Sequence, residues 1–394
     1  MFKIDNFEVW IDNTNIAAMV TSMSLYESIH GNLKGTIHVE DKLNFFELFF
    51  RGITLTSINI RYFYFDVPID ILLYVDGVTD QVINKQGKSY NVNLVSVNNV
   101  NEATARICNS YNGTSNDILS AIWLETHGEK NVLIRDSETT STGKYIVPNI
   151  SAKSAIRNVV NTAHDKHNTG MFLYQRLIDQ GMTRFTSIYD MEHNKFLSTV
   201  FDNFQIHSNE ITQDRTTGVS ETVGSTMSFA MPNYNTDFIK KLSGGMWGQK
   251  ITEIDISETT NKVLPPQEHT DVEITKMKLS KNLYNNIEKA DGPAGQTTIY
   301  PQKSLFDPES LVSEEIIRNM KYRLFNTDLS ASNVVAIPGV GCGMIIDVAQ
   351  GGGLISQTKT DGIYLIANIN HRYIMNDGDM EYSQNIGLVR EGNV

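Results

Sequence analysis

Cysteine is almost missing: Cys108 and Cys342 are the only two in 394 residues. With no CxxC and no Cys/His cluster, a disulfide framework and a thiolate zinc site are excluded. The expectation left is two small core residues in a reducing compartment. Charge is also thin, at 20% of the chain against a usual ~25%, and Asn, Ser and Thr supply much of the polar surface. Basic charge is the scarcer sign, 33 Lys and Arg against 45 Asp and Glu, for a formal −12. Such a surface gains nothing by neutralising phosphates, which argues against general nucleic-acid binding. No stretch approaches the ~18 apolar residues of a membrane span; the densest, Leu43–Phe50, is far too short. The opening Met1-Phe-Lys-Ile-Asp-Asn has neither the apolar run nor the cleavage pattern of a secretory signal. These absences describe a soluble, acidic protein made in the cytoplasm.

Apolar residues are plentiful. The 40% hydrophobic class and 27 glycines together make about 47% of the chain, enough for packed cores in two to three domains. The first hundred residues alternate with a period of two in Thr36-Ile-His-Val-Glu, in Thr54-Leu-Thr-Ser-Ile-Asn-Ile-Arg-Tyr-Phe and in Ser89-Tyr-Asn-Val-Asn-Leu-Val-Ser-Val. Turn chemistry at His30-Gly-Asn, Asp76-Gly77 and Lys85-Gln-Gly87-Lys88 separates them. Alternation buries one face and wets the other, which suits an antiparallel sheet or barrel. A short helix around Lys42–Phe50 bridges two of the strands.

From residue 106 the period changes. Thr114-Ser-Asn-Asp117 offers an N-cap ahead of Ile118, Leu119, Ile122 and Trp123. Ser151 opens a second helix with Ala155, Ile156, Val159, Val160 and Ala163 on its apolar stripe, and strands follow at 170–174 and 184–189. Residues 106–203 are therefore an α/β module without the βαβ repeat of a doubly wound fold. Breaks at Gly244-Gly-Met-Trp-Gly248, Pro265-Pro266 and Asp291-Gly-Pro-Ala-Gly295 fill the next stretch. Asp307-Pro308 then caps a helix whose apolar face carries Leu311, Ile316, Ile317, Met320, Leu324 and Phe325. The β pattern returns in 343–348, in 362–374 and, after Asn376-Asp-Gly378-Asp, in 380–389. Both ends of the chain thus close with a long hairpin carrying a Gly in a polar turn, which suggests a weak internal repeat.

Chemistry-bearing patterns are few. Gly339-Val-Gly-Cys-Gly343 and Gly351-Gly-Gly353 are glycine-dense, but the first leads into a strand and no GxxxxGK[ST] occurs, so turns are expected rather than a phosphate cradle. His164 and His167 stand one helical turn apart, with His193 further on; a metal site would need a third ligand and a second shell, and a solvated helix C-terminus is the plainer reading. No GxSxG elbow exists. Glu314-Glu315 sits on the exposed side of its helix, and Phe45, Phe46, Phe49 and Phe50 are either core or an anchor for a partner protein. No catalytic, cofactor-binding or metal residue is assigned.

Residues 17–62 are similar to the opening barrel of the baseplate hub protein of T-even-type contractile phages, the shared core being Ser24-Leu-Tyr-Glu-Ser28, Gly35-Thr-Ile37 and the turn at Glu40-Asp41. Glu314-Glu-Ile-Ile-Arg318 through Tyr322 and on to Pro338-Gly-Val-Gly341 resembles that family's helix leading into its second barrel, and Tyr364–Val389 its final hairpin. The fold expected is α+β, predominantly β, with two similar antiparallel β-barrel tube domains plus an α/β module and an inserted segment. The boundaries expected are 1–105 for the first barrel, 106–203 for the α/β middle, 204–240 with 326–394 for a discontinuous second barrel, and 241–325 for the insertion with its helix at 308–326. The resemblance implies a non-enzymatic structural hub: a homotrimer whose six barrels surround a channel and adapt the hexameric tail tube, or a tube-initiator protein, to the trimeric central spike. Other baseplate proteins would be partners, DNA only passing cargo, and no membrane insertion is stable. The place implied is the virion tail baseplate, assembled in the host cytoplasm. Two other readings remain: a tail-associated cell-wall hydrolase, and the hub portion of a related secretion or injection spike.

Overall fold

The computed structural model describes residues 2–45, 49–50, 55–64, 67–84, 87–129, 131–140, 142–167, 169–193, 201–206, 228–229, 233–234, 250–255, 260–263, 297–301, 327–334, 339–350, 362–376 and 378–390. The helix expected at 308–326, the pair Glu314-Glu315, Phe46, the glycines 351–353 and most of 241–325 lie outside these residues.

The first sheet is built from β1 (Phe2–Ile11), β2 (Thr14–Asn15), β3 (Val20–Ser28), β4 (Gly31–Asp41), β5 (Ser57–Tyr64), β6 (Val67–Asn84) and β7 (Gly87–Ser96). The middle of the chain follows with α1 (Val97–Thr104), β8 (Arg106–Thr114), α2 (Ser115–His127), β9 (Leu133–Arg135), β10 (Thr142–Ser151), α3 (Ala152–Thr162), β11 (Met171–Gln175), β12 (Thr183–Ser187) and α4 (Ile188–His193). Then come β13 (Phe201–Ile206), β14 (Ser228–Phe229), β15 (Asn233–Tyr234), β16 (Lys250–Asp255), β17 (Thr260–Val263), β18 (Thr297–Pro301), β19 (Thr327–Val334), β20 (Ile345–Gln350), β21 (Gly362–Asn376) and β22 (Asp379–Arg390).

Strand pairing closes a ring of eight in the order β21-β3-β4-β7-β6-β5-β1-β22, with β22 back on β21. Residues 1–105 contribute six of these staves and the last hairpin of the chain contributes two. Eight strands leave an interior just wide enough for side chains to fill. Here it is filled: Val9, Leu25, Ile37, Val39, Ile58, Ile60 and Val92 are all fully buried in one cluster. The period of two read from the sequence is the reason, since it sends every second side chain of each strand inward. The cylinder is a packed core and not a pore.

The same hairpin also belongs to a second sheet. Gly362–Leu365 pairs with β20, and Gln384–Arg390 with β19, which carries β14 and β15 on its far side; β13 runs parallel to β20 at the other end. Below the hairpin's midpoint the same two strands turn to the first sheet, Asn368–Ile374 on β3 and Met380–Tyr382 on β1. β21 and β22 are therefore common to both sheets.

The two sheets repeat one plan. β5-β6-β7-β4 and β20-β21-β22-β19 are both antiparallel throughout, and their registers agree as far as Thr79↔Asn91 in the first hairpin and Asn370↔Asn385 in the last. Tyr74↔Val95 and Val75↔Leu94, a bulge, then Gly77↔Asn93, Val78↔Val92 and Thr79↔Asn91 stand in one hairpin. Leu365↔Val389 and Ile366↔Leu388, a bulge, then Asn368↔Gly387, Ile369↔Ile386 and Asn370↔Asn385 stand in the other.

In the middle module α2 begins with a capping box in which Thr114 and Asp117 satisfy each other's backbone N–H groups, and Ser151 caps α3 by accepting from Ser154 N. Both helices press their apolar faces onto the antiparallel β8–β10 pair, burying Leu119, Ile122, Ala155, Val159 and Tyr145. The helix ends at Thr162, so His164 and His167 are not on it as expected. They stand in the turn that follows, where His164 bridges to Gly170.

Candidate functional site

The joint between the two sheets has the most distinctive chemistry among the described residues. At its centre Glu27 of β3 and Gln384 of β22 are completely buried, and His371 of β21 and Tyr382 of β22 nearly so. Each occupies a strand position whose neighbours two residues away are core: Met23 and Leu25 precede Glu27, Ile369 and Tyr373 flank His371, and Ile386 and Leu388 follow Gln384. Isolated polar groups there would be costly, so they satisfy one another. Gln384 Nε2 donates to Tyr382 Oη at 2.8 Å, leaving the phenolic O–H for His371 Nδ1 at 2.5 Å. The His371 tautomer that fits has its proton on Nε2, which donates to Glu27 Oε1. The other Glu27 oxygen accepts the backbone N–H of Cys342 at 3.2 Å. This chain of hydrogen bonds ties β3, β21, β22 and the loop before β20 together. Two residues further along β21, inside the first cylinder, Tyr373 meets Tyr62 of β5 hydroxyl to hydroxyl at 2.5 Å.

The middle module is locked against this joint. Gln175 at the end of β11 accepts the Leu33 N–H of β4 at 2.9 Å, and Asn98 of α1 donates to Thr183 of β12 at 2.8 Å. Tyr174 and Arg176 lie against the glycine loop Gly339–Gly343. A Cβ on Gly341 would stand 2.8 Å from Arg176 Cδ; one on Gly343, at φ +79°, would land on the Tyr174 hydroxyl. The glycines are thus required by close approach of Tyr174 and Arg176, and the loop leads directly into β20. Behind it Arg184 donates both to Asp136, at 2.8 and 2.9 Å, and to Asp179, which Arg176 also reaches at 2.7 Å. Burial would raise the Asp179 carboxyl, but the hydrogen bond from Arg184 and the two nearby cations hold it below its ordinary range.

The residues singled out in the sequence do not converge. Cys342 is buried at the joint, where desolvation and the Glu27 carboxylate push its thiol pKa well up, so it is inert. Cys108 is exposed, contrary to the core position expected, because that face of β8 is turned to solvent. His167 stacks on Tyr189, which stacks on His193, with centroids 3.6 and 4.1 Å apart, so both histidine rings pack against α4. Among the described residues no group of three or more His, Cys, Asp or Glu is placed to hold a metal. Phe45 and Phe49 stack on each other, and Phe49 and Phe50 pack onto the first core. No described helix is long and apolar enough to cross a membrane. Sequence reading missed the Glu27–His371–Tyr382–Gln384 set. The available signal was a polar residue in the apolar phase of a strand. All but sealed from solvent, the set holds strands together and does not present a reactive group.

No protein-family model matches the chain, and no curated protein sequence does. Solved structures do. A tail protein from Neisseria meningitidis MC58 aligns over 98% of this chain and 96% of its own length, with TM-score 0.57 and 10% identity. The 43 kDa tail protein of prophage MuSo2 from Shewanella oneidensis aligns over 98% of both chains, with TM-score 0.53 and 10% identity. An E. coli type VI secretion component described as similar to the T4 tail proteins gp27 and gp5 covers 99% of this chain and 76% of its own, at 10% identity and TM-score 0.47. With its two like-patterned, mainly antiparallel sheets sharing one hairpin, the chain has the predominantly β, α+β fold of the tail proteins it matches over 98% of its length.

Proposed function

We propose that this chain is the structural hub of a contractile tail baseplate, a ring of three copies that adapts a hexameric tail tube, or its initiator, to a trimeric central spike. The observation that carries the reading is the duplication: one polypeptide holds the same four-strand layout twice, in matching register. Three copies then present six similar units, which is what a threefold-to-sixfold adaptor needs. The first cylinder is filled with side chains, so any conduit lies between units and not through them. The likeness to two tail proteins over nearly their whole length supports a place in the virion tail, built in the host cytoplasm beside other baseplate proteins. A formal charge of −12 suits a wall past which DNA moves without sticking.

The hub has no catalysis of its own in this reading. Native mass spectrometry of the purified chain, alone and with a co-expressed spike protein, tests it: three copies are expected, joined by three of the spike. A strict monomer that ignores the spike would overturn the reading. Clearing of a cell-wall zymogram by the chain alone would overturn the non-enzymatic part.

A further inference from the structure

We infer that the open edge of β6 is the joint between copies: Val78–Thr79 of one chain pairs antiparallel with β15 in the second sheet of the next. The inference deepens the ring reading above and rests on it. The model for this joint is already present inside one chain. Beyond its bulge, β21 continues along β3, with Asn368 opposite Ser28, Ile369 opposite Glu27 and Asn370 opposite Tyr26. The matching segment of the first hairpin, beyond the bulge that follows Val75, is Gly77–Thr79. On one side it has β7; on the other, among the described residues, no strand.

The receiving edge is identified in the same way. β14–β15 lies beside β19 as β3 lies beside β4: Asn233 faces Asp328, and Tyr26 faces Lys34, at equivalent rungs. Its outer side ends the sheet among the described residues. Among the described residues each chain thus has a donor edge and an acceptor edge at equivalent places in its two sheets. The contact made once within the chain is repeated between chains, a heterologous joint that closes a ring. An unpaired strand edge invites indiscriminate pairing. Here it is blunted by a second bulge between Thr79 and Val82, with Asp80 at φ +56°. Past that bulge, Val82 and Ile83 are 56% and 75% exposed, an apolar tip suited to rest on the neighbouring copy.

Equivalence predicts that Thr79 faces the neighbour's Asn233. Residues directly opposite in an antiparallel ladder are about 4.5–5.5 Å apart between Cα atoms, within disulfide reach. In a Cys108→Ser background, Thr79→Cys with Asn233→Cys, oxidised with copper–phenanthroline, is expected to give covalent trimers on a non-reducing gel, with neither single variant doing so. Val82→Lys with Ile83→Lys is expected to shift the native mass from three copies to one at unchanged far-UV circular dichroism. A native trimer that neither cross-links in the double-cysteine variant nor dissociates in the lysine variant would overturn this joint while leaving the ring intact. A monomeric parent protein would remove the ring reading and this joint with it.

Discussion

The pair Asn368–Gly387 stands at the bulge where the last hairpin passes from one sheet to the other, and its counterpart in the first hairpin is the reversed pair Gly77–Asn93. A Cβ on Gly387 would lie 2.5–2.8 Å from the Asn368 amide atoms. That is about an ångström inside van der Waals contact, and overpacking of this kind costs about 1–3 kcal/mol. Gly387→Asn alone should therefore destabilise by roughly that amount. Asn368→Gly alone should cost only about 0.5–1 kcal/mol, from the added chain freedom of glycine in a strand. Made together, the two substitutions reproduce the Gly77–Asn93 arrangement and should return to within about 1 kcal/mol of the parent, a favourable coupling of about 1–3 kcal/mol. Urea unfolding of all four proteins, followed by far-UV circular dichroism, measures the cycle. Single effects that simply add, within about 0.5 kcal/mol, would refute the steric argument.

Four further outcomes are expected. Glu27→Leu leaves the His371 and Cys342 N–H groups without their acceptor and should cost about 3–5 kcal/mol, with Glu27→Gln costing less; thermal unfolding compares them. Arg184→Lys keeps a charge between Asp136 and Asp179 but loses the fork that serves both, for about 1.5–3 kcal/mol, read as a shift in the urea midpoint. Thr114→Ala removes the α2 cap at a cost of about 1 kcal/mol in the same assay. Burial pulls the His127 pKa down to about 4, so the unfolded chain binds its proton first. Stability should therefore fall as pH drops from about 6.5 towards 4. Glu102, 3.9 Å away and raised by burial, acts with the opposite sign, so Glu102→Gln should steepen the slope while His127→Phe flattens it. A pH series of unfolding midpoints that is the same in all three proteins would exclude this account.

Local structure was legible wherever a single chemical rule governs it. The Thr114 and Ser151 caps, the alternating strands and the two terminal hairpins all follow from side chains within a few residues of one another. The duplication was legible only in part. Asn91-Val-Asn-Leu-Val95 and Asn385-Ile-Gly-Leu-Val389 occupy the same rungs, yet the offset is 294 residues along this strand and 291 along its partner (Tyr74 to Leu365), so no single shift aligns both. Sharing of one hairpin by two sheets was not legible, because β21 carries apolar residues along its whole length whichever sheet it serves. The buried set at the joint joins Glu27 to His371 across 344 residues, a separation no local pattern spans; the one local trace is a polar residue in the apolar phase of a strand. His164 and His167 were misplaced because helical spacing was extended past Thr162, where backbone pairing to Gly170 prevails.

A hairpin near residue 390 that completes a cylinder begun at residue 2 also sets an order of events during synthesis. Until the final staves leave the ribosome, β3 and β1 lack their closing neighbours, and six strands remain an open sheet with sticky margins. Closure is the longest-range step available to the chain, and such contacts form slowly. Nascent molecules halted before residue 362 should accordingly be the aggregation-prone species, and loss of the β21–β22 hairpin the truncation least forgiven.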